Sequence, residues 1–288
     1  RIYFYMREEQ MQEAPVKVLL VGVDIGEEAD FEYSMEELAS LAEAAEKEVV
    51  GQIVQRLDHV NKALYIGTGK VDDVRRLAEE RGAQEVVFDN SLTPSQVRNL
   101  GKELELTVID RTNLILDIFA IRAQTREAKL QVETARLQYM LPRLVGMYDA
   151  LSRQGGASGS MSNKGTGEKK LELDRRKIEH RITELKKELE DVSRTRDVQR
   201  RKRQQSRTPQ VALVGYTNAG KSTILNRMVE QFGELPEKTV MEKDMLFATL
   251  ETSVRSIDTG HNKPFFLTDT VGFIPVSYTH LRAHETCA

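Results

Sequence analysis

The chain has 288 residues, 40% apolar and 30% charged, with a formal net charge of −3. That length suits two domains, with one or three also allowed, and supports a core without staples. The balance excludes a uniformly basic nucleic-acid coat protein, and the single Cys, Cys287, excludes a disulfide framework or a cysteine zinc site. No apolar run approaches the roughly 20 residues that span a bilayer. No secretory signal opens the chain, so a cytoplasmic protein with no membrane span, and a monomer, is expected.

Charge is unevenly placed. Residues 1–160 carry 19 Lys/Arg against 27 Asp/Glu, net −8, whereas residues 161–207 carry 16 against 9, net +7. A compact basic block in an acidic chain is the footprint of contact with phosphate backbones, although a solvated helix face has the same composition.

In chain order, residues 16–23 (VKVLLVGV) read as a buried strand and 34–47 as a helix capped by Ser34. A strand over 49–57, a helix over 71–81 and a strand over 85–88 follow. A helix over 94–104 has Thr93 as cap and Pro94 in its first turn, and 106–109 is a last short strand. This alternation predicts a parallel sheet covered by helices. From Leu114 the pattern is helical through 125–148, breaks at the Gly/Ser-rich 152–167, and resumes over about 168–205. Leu171, Ile178, Ile182, Leu185, Leu189 and Val192 form a coiled-coil-like seam, which predicts antiparallel pairing with the preceding helix. Beyond it Arg194, Arg196, Arg200, Arg201, Lys202, Arg203 and Arg207 crowd together. Thr208–Pro209 breaks the helix; 211–215 reads as a strand, 221–232 as a helix, and 254–257 and 265–268 as two strands joined by a turn. The expected fold class is α/β. An N-terminal parallel-sheet domain (1–122) leads into a long antiparallel helical hairpin with a Gly/Ser-rich tip (123–207). A partial phosphate-loop α/β domain (208–274) follows, and then a tail (275–288) with no apolar periodicity, expected to be non-native.

The chemistry-bearing residues are Gly215-Tyr216-Thr217-Asn218-Ala219-Gly220-Lys221-Ser222, followed by Thr223. GxxxxGKS between a strand and a helix is a phosphate loop: glycines let successive N–H groups face phosphate oxygens at a helix N-terminus. Lys221 supplies charge to the β/γ-phosphates and the Ser222 hydroxyl ligates Mg²⁺. Asp269-Thr270-Val271-Gly272 ends an apolar strand 47 residues beyond Ser222, where Asp269 reaches the metal and the Gly272 N–H a γ-phosphate. Between them, Phe247-Ala248-Thr249-Leu250-Glu251 offers Thr249 as a second Mg²⁺ hydroxyl or as an ordinary strand-edge residue. Lys221, Thr249 and Gly272 are the catalytic candidates; Ser222, Thr249 and Asp269 are the metal candidates. Gly67-Thr68-Gly69-Lys70 lacks the first glycine of the spacing and is assigned no nucleotide.

GYTNAGKS, LFATLE and DTVGFI in this order resemble the HflX family of translation-factor-class GTPases. So do IGTGKVDDV (66–74), FDNSLTPSQVRNL (88–100), the run over 110–144 and GTGEKKLELDRRKI (165–178). The resemblance implies a GTP hydrolase that binds the large (50S) ribosomal subunit and separates stalled ribosomes, with rRNA meeting the hairpin and the basic cluster 194–207. It also allows Asn218 two roles, a K⁺ ligand or a loop-stabilising hydrogen bond. Two departures stand out. No NKxD guanine motif follows Asp269, since His261-Asn262-Lys263-Pro264 precedes it and lacks the Asp. Phe273 stands where the Ras-like pattern has a water-orienting Gln, so hydrolysis is expected to await a partner group. The alternatives are an RNA-binding fragment without turnover and an ATP-using phosphate-loop enzyme.

Overall fold

The computed structural model describes residues 14–26, 31–154, 164–205, 208–232, 252–260 and 264–272, with side chains described throughout these except at 144–171, 193 and 195–205. The first unit is a sheet of β1 (Val16–Asp24), β2 (Lys47–Arg56), β3 (Glu85–Phe88) and β4 (Thr107–Asp110), in the order β2-β1-β3-β4 with every pairing parallel. Its connections are α1 (Phe31–Ala44), α2 (Thr68–Arg81) and α3 (Pro94–Leu104), and α4 (Arg111–Arg122) follows β4 directly. The run over 18–23 is apolar, glycine included, because β1 is buried on both faces from Val18 onward. Val18 and Leu20 point into a layer formed with Met35, Leu38 and Leu41 of α1 and Leu114 and Ile118 of α4. Leu19, Val21 and Val23 point into the opposite layer, formed with Val71 and Val74 of α2 and Leu100 and Leu104 of α3. Each such side chain, fully buried, contributes about 1.5–3 kcal/mol.

Local signals set most boundaries. Thr93 caps α3 with Pro94 in its first turn, as the sequence predicts, and Gln96 completes a reciprocal capping box. The expected Ser34 cap is corrected. α1 begins at Phe31, so Ser34 lies inside the helix, where its hydroxyl donates to Asp89 Oδ2 at 2.7 Å and accepts from Arg111 at 3.1 Å. A buried ion pair takes the side chain that a helix end would otherwise use. α4 starts at Arg111 rather than Leu114, because Asp110 accepts from the Asn113 N–H at 3.0 Å and caps it.

The hairpin comprises α5 (Arg126–Gln154) and α6 (Lys164–Gln205). Arg126 meets Glu188 at 3.2 Å and Glu133 meets Arg181 at 2.9 Å, an inverse order that makes the helices antiparallel. Ile182 and Leu185 of the predicted seam are buried, and Ile178, Leu189 and Val192 are half-buried; the side chain of Leu171 lies outside those described. The Gly/Ser break is shorter than the sequence suggests, because Gly165 and Gly167 fall within α6. At about 1 kcal/mol each, two glycines do not stop a helix that continues for many turns.

α5 is fastened to the sheet by a buried polar knot. Asp110 is 1% exposed and accepts from the Leu92 N–H at 3.2 Å, Arg143 Nη2 at 2.9 Å and the Tyr139 hydroxyl. Arg143 also stacks on the Tyr139 ring, 3.3 Å from its centroid. Burial, and after it the Asp110 charge, pushes the Tyr139 hydroxyl well above the ordinary phenol range, so it remains a donor.

The second sheet contains β5 (Gln210–Leu213), β6 (Ser253–Ile257) and β7 (Phe265–Asp269) in the order β5-β7-β6, β5–β7 parallel and β6–β7 antiparallel. α7 (Lys221–Phe232) covers one face through Leu225, Ile257 and Leu267. Val211 of β5 and Val214 just beyond it are exposed. The tail 275–288 lies outside the described residues.

Candidate functional site

The phosphate-loop residues lie between β5 and α7. Asn218 and Gly220 take left-handed backbone conformations, φ 59° and 77°, which turn the loop from strand to helix. Asn tolerates this region better than most residues. Lys221 Nζ folds back over the loop, donating to the Tyr216 carbonyl at 2.6 Å and the Gly215 carbonyl at 3.2 Å. Tyr216, Asn218, Ala219 and Thr223 are exposed, whereas Gly215, Thr217, Gly220, Lys221 and Ser222 are half-buried.

Burial lowers the Lys221 pKa below its ordinary 10.5, while the Asp269 charge opposes the shift. Binding a phosphate chain favours the charged ammonium. Affinity is therefore expected to hold at neutral pH and to fall as pH rises through the lowered pKa, earlier than for an ordinary lysine. Titrating affinity for inorganic triphosphate in the parent chain and in Lys221→Ala checks this, because the probe's own alkaline ionisation is common to both and cancels in the comparison. A profile flat past the ordinary lysine range removes Lys221 from the site.

Across the loop, Ser222 Oγ donates to Asp269 Oδ2 at 2.6 Å, and Asp269 is fully buried. Thr270 Oγ1 donates to the Leu213 carbonyl at 2.7 Å, tying the end of β7 to the end of β5. A hydroxyl and a carboxylate side by side form a hard oxygen set. This suits Mg²⁺, which takes few protein ligands and completes its shell with phosphate and water. Among the described residues, no group of three or more His, Cys, Asp or Glu could hold a metal by itself. The structure therefore brings Lys221, Ser222, Asp269 and Gly272 together. Phe247, Ala248, Thr249, Leu250, Glu251 and Phe273 lie outside the described residues.

The second GxGK stretch opens a helix. Gly67 precedes α2, its N–H donates to Gln55 Oε1 at 3.0 Å, and Lys70 pairs with Asp73 at 3.3 Å. What sequence reasoning misses is the close approach of Gly272 to the loop. A Cβ built there would lie 2.6 Å from both Thr217 N and Thr217 Cα, so only glycine fits. A glycine after an apolar strand signals such an approach in general terms, without naming the partner.

A glycine-cornered loop between a strand and a helix, with lysine over it and an aspartate-bound serine behind it, defines a phosphate-loop domain joined to an α/β unit. Three family models match in succession: a GTP-binding GTPase N-terminal region over 32–120, a GTP-binding GTPase middle region over 122–203, and a 50S ribosome-binding GTPase over 210–287. The chain belongs to the HflX family of GTPases. It is 44% identical over 272 residues to "GTPase HflX" of Lacrimispora saccharolytica, covering 94% of this chain and 62% of that one. It is 48% identical over 258 residues to that of Alkalihalophilus pseudofirmus, covering 89% and 59%. The chain thus spans about 60% of the length of the curated relatives it matches. A solved structure of SsGBP in complex with GDP aligns with a TM-score of 0.50 at 25% identity, covering 93% of this chain and 66% of that one. Among the described residues no helix is long and apolar enough to cross a membrane.

Proposed function

We propose that the chain binds GTP on its phosphate loop and, as part of a GTPase, hydrolyses it. Ser222 and Asp269 hold Mg²⁺, joined by Thr249 when a γ-phosphate is present. Lys221 neutralises the β/γ-phosphates and the Gly272 N–H contacts the γ-phosphate. The observation that carries this reading is the 2.6 Å Ser222–Asp269 pair behind a lysine folded over its own glycine-cornered loop. It fits the Mg²⁺ and triphosphate arrangement of the fold class. Phe273 cannot orient water, so the chemical step waits for a group supplied by a partner.

The partner proposed is the large ribosomal subunit, met through the helical hairpin and the basic residues 194–207. The supporting observations are the +7 block over 161–207 and the "50S ribosome-binding" description of the matching C-terminal model. Affinity for isolated 50S particles should fall steeply with salt. Replacing Arg200, Arg201 and Arg203 with Gln should weaken binding and lower the log–log salt slope by about 0.7–0.9 for each phosphate no longer neutralised. If affinity and slope are both untouched, the block is a solvated helix end. Binding that never responds to nucleotide favours the RNA-binding module without turnover.

A further inference from the structure

The pairing of β6 with β7 brings one more hydroxyl to the metal side of the site. The two strands are antiparallel, and their register sets Ser253 directly opposite Asp269. Residues so paired share a face of the sheet, with Cβ atoms about 5 Å apart. Ile257 lies on the same face of β6 as Ser253 by alternation, and it packs with Leu267 against Leu225 of α7. Ser253 therefore stands on the face that α7 covers. It is beside the fully buried Asp269, on the side from which Ser222 donates at 2.6 Å.

Ser253 Oγ is itself buried, and it makes no hydrogen bond among the described residues. Buried hydroxyls are nearly always paired, because leaving one unmet costs its full desolvation. An orphan of this kind beside a carboxylate calls for an account. Carboxylates that serve a metal are fixed in their turn by hydrogen bonds from supporting groups. Ser222 cannot be the whole support, since its own oxygen is needed as a metal ligand. Ser253 Oγ stands next to the same carboxylate and is committed to nothing else among the described residues.

We propose that Ser253 is a positioning residue for the Mg²⁺ site: its hydroxyl donates to the Asp269 carboxylate when that group holds the metal, and so fixes its orientation. This rests on the reading of Ser222 and Asp269 as the Mg²⁺ pair of a GTP site, and it adds a residue to that site. Ser253 belongs to neither the phosphate-loop nor the DxxG pattern. The strand register alone delivers it.

The test uses the full chain and its Ser253→Ala, Ser253→Thr and Lys221→Ala variants, titrated with a fluorescent GTP analogue at stepped free Mg²⁺ and again in EDTA. Thermal melts in EDTA accompany the titrations. In Ser253→Ala the free Mg²⁺ at which binding is half enhanced is expected to rise about 10-fold, the size of losing a supporting bond at a metal site. Affinity in EDTA should match the parent. Ser253→Thr keeps the hydroxyl and should keep the parental Mg²⁺ midpoint. A serine that only holds the strand would lower Tm in EDTA on removal and leave the Mg²⁺ midpoint in place. A hydroxyl with no partner in the fold would not lower Tm. An unshifted midpoint in Ser253→Ala overturns the proposal, as does an equal shift in Ser253→Thr or an equal loss of affinity in EDTA. If the parent binds the analogue no better than Lys221→Ala does, the GTP reading falls and this proposal falls with it.

Discussion

Lys221→Ala is expected to lower affinity for GTP by about 10- to 100-fold, the size of losing hydrogen bonds to a charged group. Turnover should fall further, by about 10²–10³-fold, if transition-state charge on the phosphates is also left unmet. The physical case rests on what remains. Without the ammonium, the loop offers neutral N–H groups and a Mg²⁺ site, and the Gly215 and Tyr216 carbonyls lose the donor that now satisfies them. Fold stability should barely change, because α7 is held by Leu225 against Ile257 and Leu267, a cluster that does not include the lysine. A titration with a fluorescent GTP analogue, paired with a thermal melt, separates the two effects. Unchanged binding in a folded variant would remove the phosphate loop as the site.

Much of the fold and site is legible in the sequence because the signals are local. Thr93-Pro94-Ser95-Gln96 specifies its helix start by side chains that reach only three residues, and the Thr93 cap appears as expected, with Gln96 completing a capping box. GxxxxGKS specifies a loop whose residue types are fixed by phosphate chemistry, and Ser222 and Asp269 do meet although they stand 47 positions apart. What is not legible depends on contacts between elements distant in sequence. Ser34 reads as a cap because nothing near it shows that Asp89 and Arg111 will claim its hydroxyl. Tyr139 and Arg143 lie on one face of a helix, yet their meeting with Asp110 requires the packing of α5 beside β4.

Arg111 reads in the sequence as one charge among many, and it is where the largest stability loss is expected. It is 1% exposed, with Nη1 donating to Asp89 Oδ1 at 2.6 Å and to Ser34 Oγ at 3.1 Å, and Nη2 donating to Glu37. The group ties the start of α4 to α1 and to the end of β3. Arg111→Ala leaves the Asp89 carboxylate, 2% exposed, and the Glu37 carboxylate, 12% exposed, without their cation. Breaking a buried pair in this way costs about 3–5 kcal/mol. For a domain of this size that lowers Tm by on the order of 10–25 °C. The loss has two sources, stranded charge and the cavity left by the guanidinium. Adding Asp89→Asn and Glu37→Gln to Arg111→Ala removes the charge and leaves the cavity. If stranded charge dominates, the triple variant should recover more than half of the drop in Tm. If it recovers nothing, packing of the arginine stem rather than ion pairing holds α1 and α4 on the sheet.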